Sequence, residues 1–186
     1  MEIYESFKPL GLLSILTIWV GCAFLVYRWP GKLNMSLSHH AAQTKESKIY
    51  YALLLIPAVT AFYVFMLKWF IPTFELSEMA LYVLTFGVLG QYVACIVPDT
   101  KGWASKVHQV AAYIMSVTLS IMLGFVIFSQ TISTFSYWST LIILVIMLFL
   151  YARFLFVPKT KEKFLIYQST YVMLFHLAIL ICTYAG

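Results

Sequence analysis

The sequence predicts an all-α protein, a polytopic bundle of six transmembrane helices with both termini on the outer side of the membrane. Three observations predict this architecture. Only 10% of the 186 residues are charged and 62% are hydrophobic, whereas a water-soluble domain carries about 25% charged residues. The hydrophobic residues form six long runs, and the basic residues gather in every second connection between them. We therefore expect the chain to lie in a bilayer.

Each apolar run is close to the length of about 20 residues that a helix needs to cross a bilayer. The six runs cover residues 10–27, 50–71, 79–97, 107–128, 135–157 and 164–184. They use most of the chain and leave no segment long enough for a soluble domain. Residues 1–186 are therefore expected to form one integral-membrane domain.

The first three runs have recognisable boundaries. The first follows two glutamates and one lysine instead of a positively charged segment, so we interpret it as a permanent helix and not as a signal peptide. Pro30 and Gly31 end it. The second run contains Pro57. Ser77 is a suitable N-cap for the third run, which Pro98 closes.

The last three runs are bounded in the same way. Ser105 is a suitable N-cap for the fourth run. The fifth is apolar on all sides, which is typical of a helix that faces lipid, and Arg153 and Pro158 mark its end. The sixth run carries His176 near the expected middle of the bilayer.

The distribution of basic residues predicts the orientation of the bundle. Ten of the 12 Lys and Arg residues lie after the first, third and fifth runs, and only Lys8 and Lys68 lie on the other side. Cytoplasmic loops of membrane proteins carry an excess of Lys and Arg. We therefore place these three connections in the cytoplasm, and we interpret the net charge of +5 as a topology signal and not as a nucleic-acid surface.

Small residues recur along the third and fourth runs at helical spacing. Gly90 and Ala94 form a pair on the third run, and a row at intervals of four begins at His108 and continues through Ala112, Ser116, Ser120 and Gly124. Small residues allow membrane helices to approach closely. We therefore expect these two helices to form a tight hairpin at the centre of the bundle.

Several groups that could carry chemistry lie at the predicted cytoplasmic mouth of this hairpin. They are Asp99, the only Asp in the chain, and Lys101 and His108, with His39 and His40 in the first connection within reach. Imidazole and carboxylate groups are suitable ligands for zinc or iron. One hypothesis is that Asp99, His108 and a first-loop histidine bind a metal, or that Asp99 orients His108 as a general base. The alternative is that Asp99 stabilises a turn and His108 lies at the membrane interface.

Gln91 and His176 are the polar residues deepest in the predicted membrane region. An intramembrane ionisable residue is by default a candidate functional group. Together with Ser116, these two residues are candidates for ligand binding, and the alternative is a hydrogen bond to a neighbouring helix, for example from His176 to Gln91, Ser116 or Tyr113. All Asp and Glu residues lie at or beyond a predicted interface, which argues against proton or cation translocation.

Six helices, a serine-containing segment after the first helix, and a Pro-Asp-x-x-Gly turn before a histidine together resemble the DRAM/Frag/Sfk-like superfamily, in its bacterial branch of uncharacterised six-helix membrane proteins. The matching residues are Ser36, Ser38, Gln91, Pro98, Asp99, Gly102 and His108. The resemblance implies membrane-embedded roles linked to lipids, membrane stress or the assembly of larger complexes.

Asp99 and His108 also resemble residues of the ceramidase-like membrane hydrolases, which use a Ser, an Asp and three His around zinc in a seven-helix bundle. The last run of this chain lacks the paired histidines of that family and carries only His176.

These observations lead to one main hypothesis and two alternatives about function. The main hypothesis is a non-catalytic protein of the cytoplasmic membrane that binds lipid or a partner subunit, or a second copy of itself, through the hairpin of the third and fourth helices. One alternative is a metal-dependent lipid hydrolase at the cytoplasmic interface. The other is a small carrier for an uncharged or lipid-like solute, with Gln91 and His176 along its path.

Overall fold

The computed structural model describes residues 5–97, 99 and 102–185. Within these residues the regular secondary structure is all helical, with no strand, and a 3₁₀ turn at Pro158–Lys163 precedes the last helix. The helices are α1 Lys8–Arg28, α2 Leu37–Ala41, α3 Lys45–Thr73, α4 Glu78–Ile96, α5 Trp103–Ile127, α6 Thr134–Phe156 and α7 Phe164–Tyr184. The last part of α3 contains a π-helical turn at Met66–Phe70.

All of these helices except the short α2 are long and apolar enough to cross a membrane. The prediction of an all-α chain with six long apolar helices is therefore confirmed. Most helix ends lie within a few residues of the predicted ones, and α3 begins earlier than predicted. It begins there because Thr44 and Ser47 form a reciprocal capping box at its first turn, which satisfies backbone N–H groups that would otherwise lack partners.

The start of α5 differs from the prediction. The helix begins at Trp103, its N-cap is Gly102, and Ser105 lies inside the first turn. The Ser105 hydroxyl donates to Oδ1 of Asp99 at 2.8 Å instead of capping the helix. Gly102 has a φ of 70°, a backbone conformation that glycine adopts without the steric penalty of other residues.

Glycines set the closest approaches between helices. A Cβ atom added at Gly90 of α4 would lie 2.9 Å from the carbonyl oxygen of Ala111 in α5, and one added at Gly87 would lie 2.5 Å from Oγ1 of Thr118. On the other side of the bundle, Gly21 of α1 lies directly against the side chain of Leu54 in α3. Close backbone approach through glycine is the usual way in which apolar helices pack in lipid.

The two ends of the bundle differ in packing. We call the end that carries α2 and the α4–α5 and α6–α7 connections the basic end. Toward the opposite end, α3, α5 and α7 meet in a core whose largest fully buried side chains include Phe65, Phe70, Met122 and Phe175. Toward the basic end α5, α6 and α7 surround a cavity.

The short helix α2 is fixed across the basic end by hydrogen bonds to α1 and α7. Nδ1 of His40 donates to the carbonyl oxygen of Trp29 at 3.0 Å, and the backbone N–H of Leu37 donates to Oε1 of Gln168 at 3.0 Å. Leu165 at the start of α7 also donates its N–H to the carbonyl oxygen of Leu33. These bonds place the side chains of α2 beside the cavity.

Candidate functional site

The cavity at the basic end is amphiphilic. Its volume is about 310 Å³, at the lower end of the range of about 300–1,000 Å³ that ligand sites occupy. The polar residues at its mouth are Ser36, Ser38, His39, Asp99, His108 and Gln109. The helices α5, α6 and α7 supply a largely aromatic wall, in which Phe154, Phe164 and Tyr167 lie near the basic end and Tyr113, Tyr151 and Tyr171 lie deeper in the bundle. We call this space the first cavity.

Ser36, Ser38 and His39 form a hydrogen-bonded group at this mouth, and Asp99 lies within ion-pair distance of His39. We call these four residues the polar cluster. Oγ of Ser36 lies 2.6 Å from Nδ1 of His39 and 2.7 Å from Oγ of Ser38. Nδ1 of His39 lies 3.3 Å from Oδ2 of Asp99. Both serines and Asp99 are buried, so their polar atoms depend on one another for partners.

The polar cluster is a consequence of how α2 begins. Ser36 is the N-cap of this helix, and its side-chain oxygen accepts the backbone N–H of His39, which is the usual role of an N-cap serine. The same bond holds the His39 ring beside Ser36 and turns it toward Asp99. The side chain of Ser36 therefore both caps α2 and holds the candidate binding residue His39 in place.

Asp99 contacts His39 and not His108. Its two oxygens are engaged by Nδ1 of His39 and by the hydroxyl of Ser105. His108 is buried, and its Nδ1 donates to the carbonyl oxygen of Val97 at 2.8 Å. In this geometry Asp99 therefore does not orient His108, and the interfacial position of the His108 ring stays a prediction. Pro98 and Lys101, also expected near this mouth, lie outside the described residues.

His40 lies apart from the polar cluster. Its ring is fully buried against α1, and its Nδ1 donates to Trp29. Nε2 of His40 is buried and has no hydrogen-bond partner among the described residues. The sequence placed His39 and His40 as equivalent candidates, and the structure brings only His39 to Asp99.

The predicted zinc or iron site is not assembled by this arrangement. A catalytic zinc ion takes three protein ligands, and no group of three or more His, Cys, Asp or Glu residues that could hold a metal occurs in the described part of the chain. Both oxygens of Asp99 already have partners. The side chains present here do not fit a catalytic zinc or iron centre.

Gln91 and His176 line a second, smaller cavity of about 120 Å³ near the middle of the bundle. They do not bond to each other. Nδ1 of His176 accepts the indole N–H of Trp19 at 2.9 Å, and the amide of Gln91 donates to Sγ of Cys95 at 3.2 Å. The two cavities are separate but share three wall residues, which are Met115, Gln168 and Val172.

The row of small residues on α5 does not face α4 throughout. Ala112 and Ser116 line the first cavity, Ser120 bonds to Tyr171 of α7 at 2.6 Å, and no heavy atom lies within 4 Å of a Cβ added at Gly124. On α4, Gly90 does lie directly against the backbone of α5, and Ala94 is buried. The row therefore borders the first cavity more than it packs the α4–α5 hairpin.

Tyr171 is a site residue that the sequence interpretation missed. Its hydroxyl donates to the carbonyl oxygen of Ser116 at 2.7 Å and accepts from the hydroxyl of Ser120, which ties α7 to α5 at the floor of the first cavity. A tyrosine in an apolar run looks like any other aromatic residue. The only available signal was that a buried Tyr hydroxyl needs a partner and that Ser116 and Ser120 could supply one.

The chain matches no family model, no curated protein and no solved structure. The resemblance to the DRAM/Frag/Sfk-like superfamily therefore stays a prediction. Of the residues that suggested it, four line the first cavity, and these are Ser36, Ser38, Asp99 and His108.

Proposed function

We propose that this chain is a polytopic integral protein of the cytoplasmic membrane that binds a membrane lipid in the first cavity without transforming it. The observation that carries the proposal is the division of this cavity into a polar mouth and an aromatic interior. A lipid has the same division, so its headgroup and tail would each meet a matching wall. A cavity between helices favours a lipid over a partner subunit, which would need an outer surface.

Membrane insertion is supported by the outer surfaces of the helices. Large apolar side chains such as Val20, Leu53, Phe86 and Phe128 are well exposed, and in water so large an apolar surface would drive association. The excess of Lys and Arg in the connections at the basic end supports a cytoplasmic location for that end. Both termini would then face the outside.

Binding is favoured over hydrolysis by the geometry of the polar cluster. A serine–histidine–aspartate relay needs the serine and the carboxylate on different ring nitrogens, so that a proton can pass across the imidazole. Here Ser36 and Asp99 both lie at Nδ1 of His39. The three residues therefore hold one another in place and do not form a proton relay.

A carrier function is less well supported than binding. The second cavity, which holds Gln91 and His176, is separated from the first by Met115, Gln168 and Val172. A solute that entered from the basic end would have to displace this partition. The first cavity alone is large enough to be a binding site.

Filling the first cavity tests the proposal. Ala112 lines the cavity, so Ala112→Leu should push lipid out of it. Ala152 is exposed on α6 near the same end, so Ala152→Leu adds the same atoms outside the cavity. After purification from membranes, lipid extraction and mass spectrometry should show that one lipid species is strongly depleted in Ala112→Leu and unchanged in Ala152→Leu.

The opposite result would be equally clear. If Ala112→Leu remains folded, as judged by its elution as a single species, and retains the same lipids per protein as Ala152→Leu, the first cavity is not a lipid site.

A further inference from the structure

The tail of a bilayer lipid gives the first cavity little basis for selecting one lipid over another. Lipid tails are about as apolar as leucine side chains, so a tail that moves from the bilayer into an apolar cavity gains little from the hydrophobic effect. Selection must therefore come mainly from the polar cluster and from His108, which lines the same mouth.

His39 and His108 both use Nδ1 for contacts within the protein, which leaves Nε2 of each ring for a ligand. Nδ1 of His108 lies 2.8 Å from a carbonyl oxygen, which can only accept, so this nitrogen carries the proton. Nδ1 of His39 lies 3.3 Å from a carboxylate oxygen of Asp99, which also only accepts, so a proton on this nitrogen is favoured over a lone pair, and the hydroxyl of Ser36 is then the acceptor. A neutral imidazole that donates from Nδ1 has a lone pair at Nε2. No described residue makes a hydrogen bond to Nε2 of either ring, so both are acceptors for a ligand.

The hydroxyl of Ser38 supplies a hydrogen-bond donor at the mouth of the first cavity. Oγ of Ser36 accepts the backbone N–H and the Nδ1–H of His39, so its own proton goes to Oγ of Ser38 at 2.7 Å. The hydroxyl proton of Ser38 then points elsewhere, and no described residue accepts it. Ser38 lines the cavity, so its hydroxyl is a donor for the same ligand.

The carboxylate of Asp99 at this mouth is buried and already has partners. Among the described residues, Asp99 is the only carboxylate in the wall of the first cavity, and each of its oxygens has a partner. No described Lys or Arg lines this wall. A phosphate, which mainly accepts, would meet two nitrogen lone pairs and a carboxylate. An ammonium headgroup would have to reach a carboxylate that is buried and already contacts His39 and Ser105.

We infer that the first cavity selects a lipid whose headgroup is uncharged and hydroxylated, of the kind found in monoacylglycerols and diacylglycerols. A hydroxyl both donates and accepts, so glycerol hydroxyls can donate to Nε2 of His39 and His108 and accept from Ser38. The inference rests on the proposed function, because it names the headgroup of the lipid that the cavity binds.

Three probes that have the same chain length and differ in headgroup distinguish the contribution of the headgroup to binding from that of the tail. These are monooleoylglycerol, oleoyl lysophosphatidic acid and oleylamine, and free glycerol is added to test whether the headgroup binds without a tail. The full chain is placed in phosphatidylcholine nanodiscs, because sugar-headed detergents would compete through their own hydroxyls. Binding is measured by native mass spectrometry. We expect monooleoylglycerol to bind about tenfold tighter than the other two, which corresponds to one lost hydrogen bond, and free glycerol not to displace it.

A conservative variant tests the assignment to His108. The side-chain amide of asparagine can still donate to the carbonyl oxygen of Val97, but it has no counterpart of Nε2. His108→Asn should therefore stay folded and lose most of the preference for monooleoylglycerol. A preference that is unchanged in this variant would overturn the role of His108.

The remaining outcomes separate this inference from the proposed function. If lysophosphatidic acid or oleylamine binds the unmodified chain as tightly as monooleoylglycerol, the headgroup assignment is wrong and lipid binding in the cavity stands. If no probe binds, or if Ala112→Leu binds all three as the unmodified chain does, the proposed function fails and the inference fails with it.

Discussion

His39 and His108 come from different helices, and each is held by the same ring nitrogen. One Nδ1 is fixed by the backbone carbonyl of Val97 and the other by Ser36 and Asp99. Fixing one nitrogen sets the tautomer and the ring orientation of a histidine, so both rings present Nε2 in a defined direction. A preorganised site of this kind loses little conformational entropy when a ligand binds.

Gly102 also has a role that only one residue type can fill. Its φ of 70° and ψ of −137° lie in a region that is sparsely populated by other residues, at a penalty of about 1–3 kcal/mol. It is the N-cap of α5, which carries His108 into the cavity. The backbone angle at Gly102 therefore helps to set where the helix and its histidine begin.

Gly102→Ala should lower the free energy of unfolding by about 1–3 kcal/mol, because of the backbone angle alone. No atom of the described residues lies within 4 Å of a Cβ added there, so we expect no contribution from steric contact. Gly124→Ala is the matched control, since its added Cβ also meets nothing within 4 Å and a helical Gly-to-Ala change stabilises by about 0.5–1 kcal/mol. Denaturant titration in detergent measures both. Equal effects in the two variants would contradict the proposed role of the angle.

At the scale of helices, the six long elements could be predicted and their rotations could not. Apolar run length is enough to locate α1 and α3 to α7, because each needs to match the thickness of a bilayer. The face that a helix turns to its neighbour depends on tertiary packing. The sequence therefore placed Ala112, Ser116 and Ser120 correctly on one face of α5. It did not predict that this face turns toward α7 and the first cavity.

The candidate site shows the same limit. Asp99, His108 and a first-loop histidine were predicted to lie close together, and all three line one cavity. The choice between His39 and His40 was beyond the sequence, because neighbouring residues on a helix point about 100° apart and the docking of α2 decides which one reaches Asp99. Tyr171 was missed because a hydroxyl at a helix interface leaves no periodic pattern.

The α4–α5 contact gives a prediction that separates backbone clashes from side-chain clashes. Gly90→Ala would bring a Cβ to 2.9 Å from a backbone oxygen, and Gly87→Ala would bring one to 2.5 Å from the Thr118 side chain. Overpacking of this kind destabilises by about 1–3 kcal/mol. We expect both variants to unfold more readily, as measured by denaturant titration.

A second substitution distinguishes the two clashes. Thr118→Ala removes the side-chain oxygen that Gly87→Ala would meet, so it should restore much of the stability of that variant. The same change should leave Gly90→Ala as unstable as before, because Thr118 is not among the atoms nearest to Gly90. Rescue of both variants, or of neither, would show that the α4–α5 approach is not as close as described.

For the whole molecule, the difference between the two ends connects packing to function. The larger aromatic and aliphatic core lies toward the end opposite the basic connections, and a smaller core packs α1, α2 and α3 at the basic end. At the basic end, α5, α6 and α7 enclose the first cavity. If the basic end faces the cytoplasm, as the positive-inside rule predicts, the lipid would enter from the inner leaflet.

Cysteine labelling in intact cells tests this orientation. Gln43 lies at the basic end and Gln130 at the other, and both are exposed, uncharged residues, so Gln43→Cys and Gln130→Cys change neither the charge nor the core. Two of the three native cysteines are buried and the third is half-buried. The labelling of each variant is therefore measured relative to the labelling of the unmodified chain. A membrane-impermeant maleimide should label Gln130→Cys in intact cells and Gln43→Cys only after permeabilisation. The reverse pattern would place the mouth of the first cavity in the outer leaflet and change which lipids can reach His39 and His108.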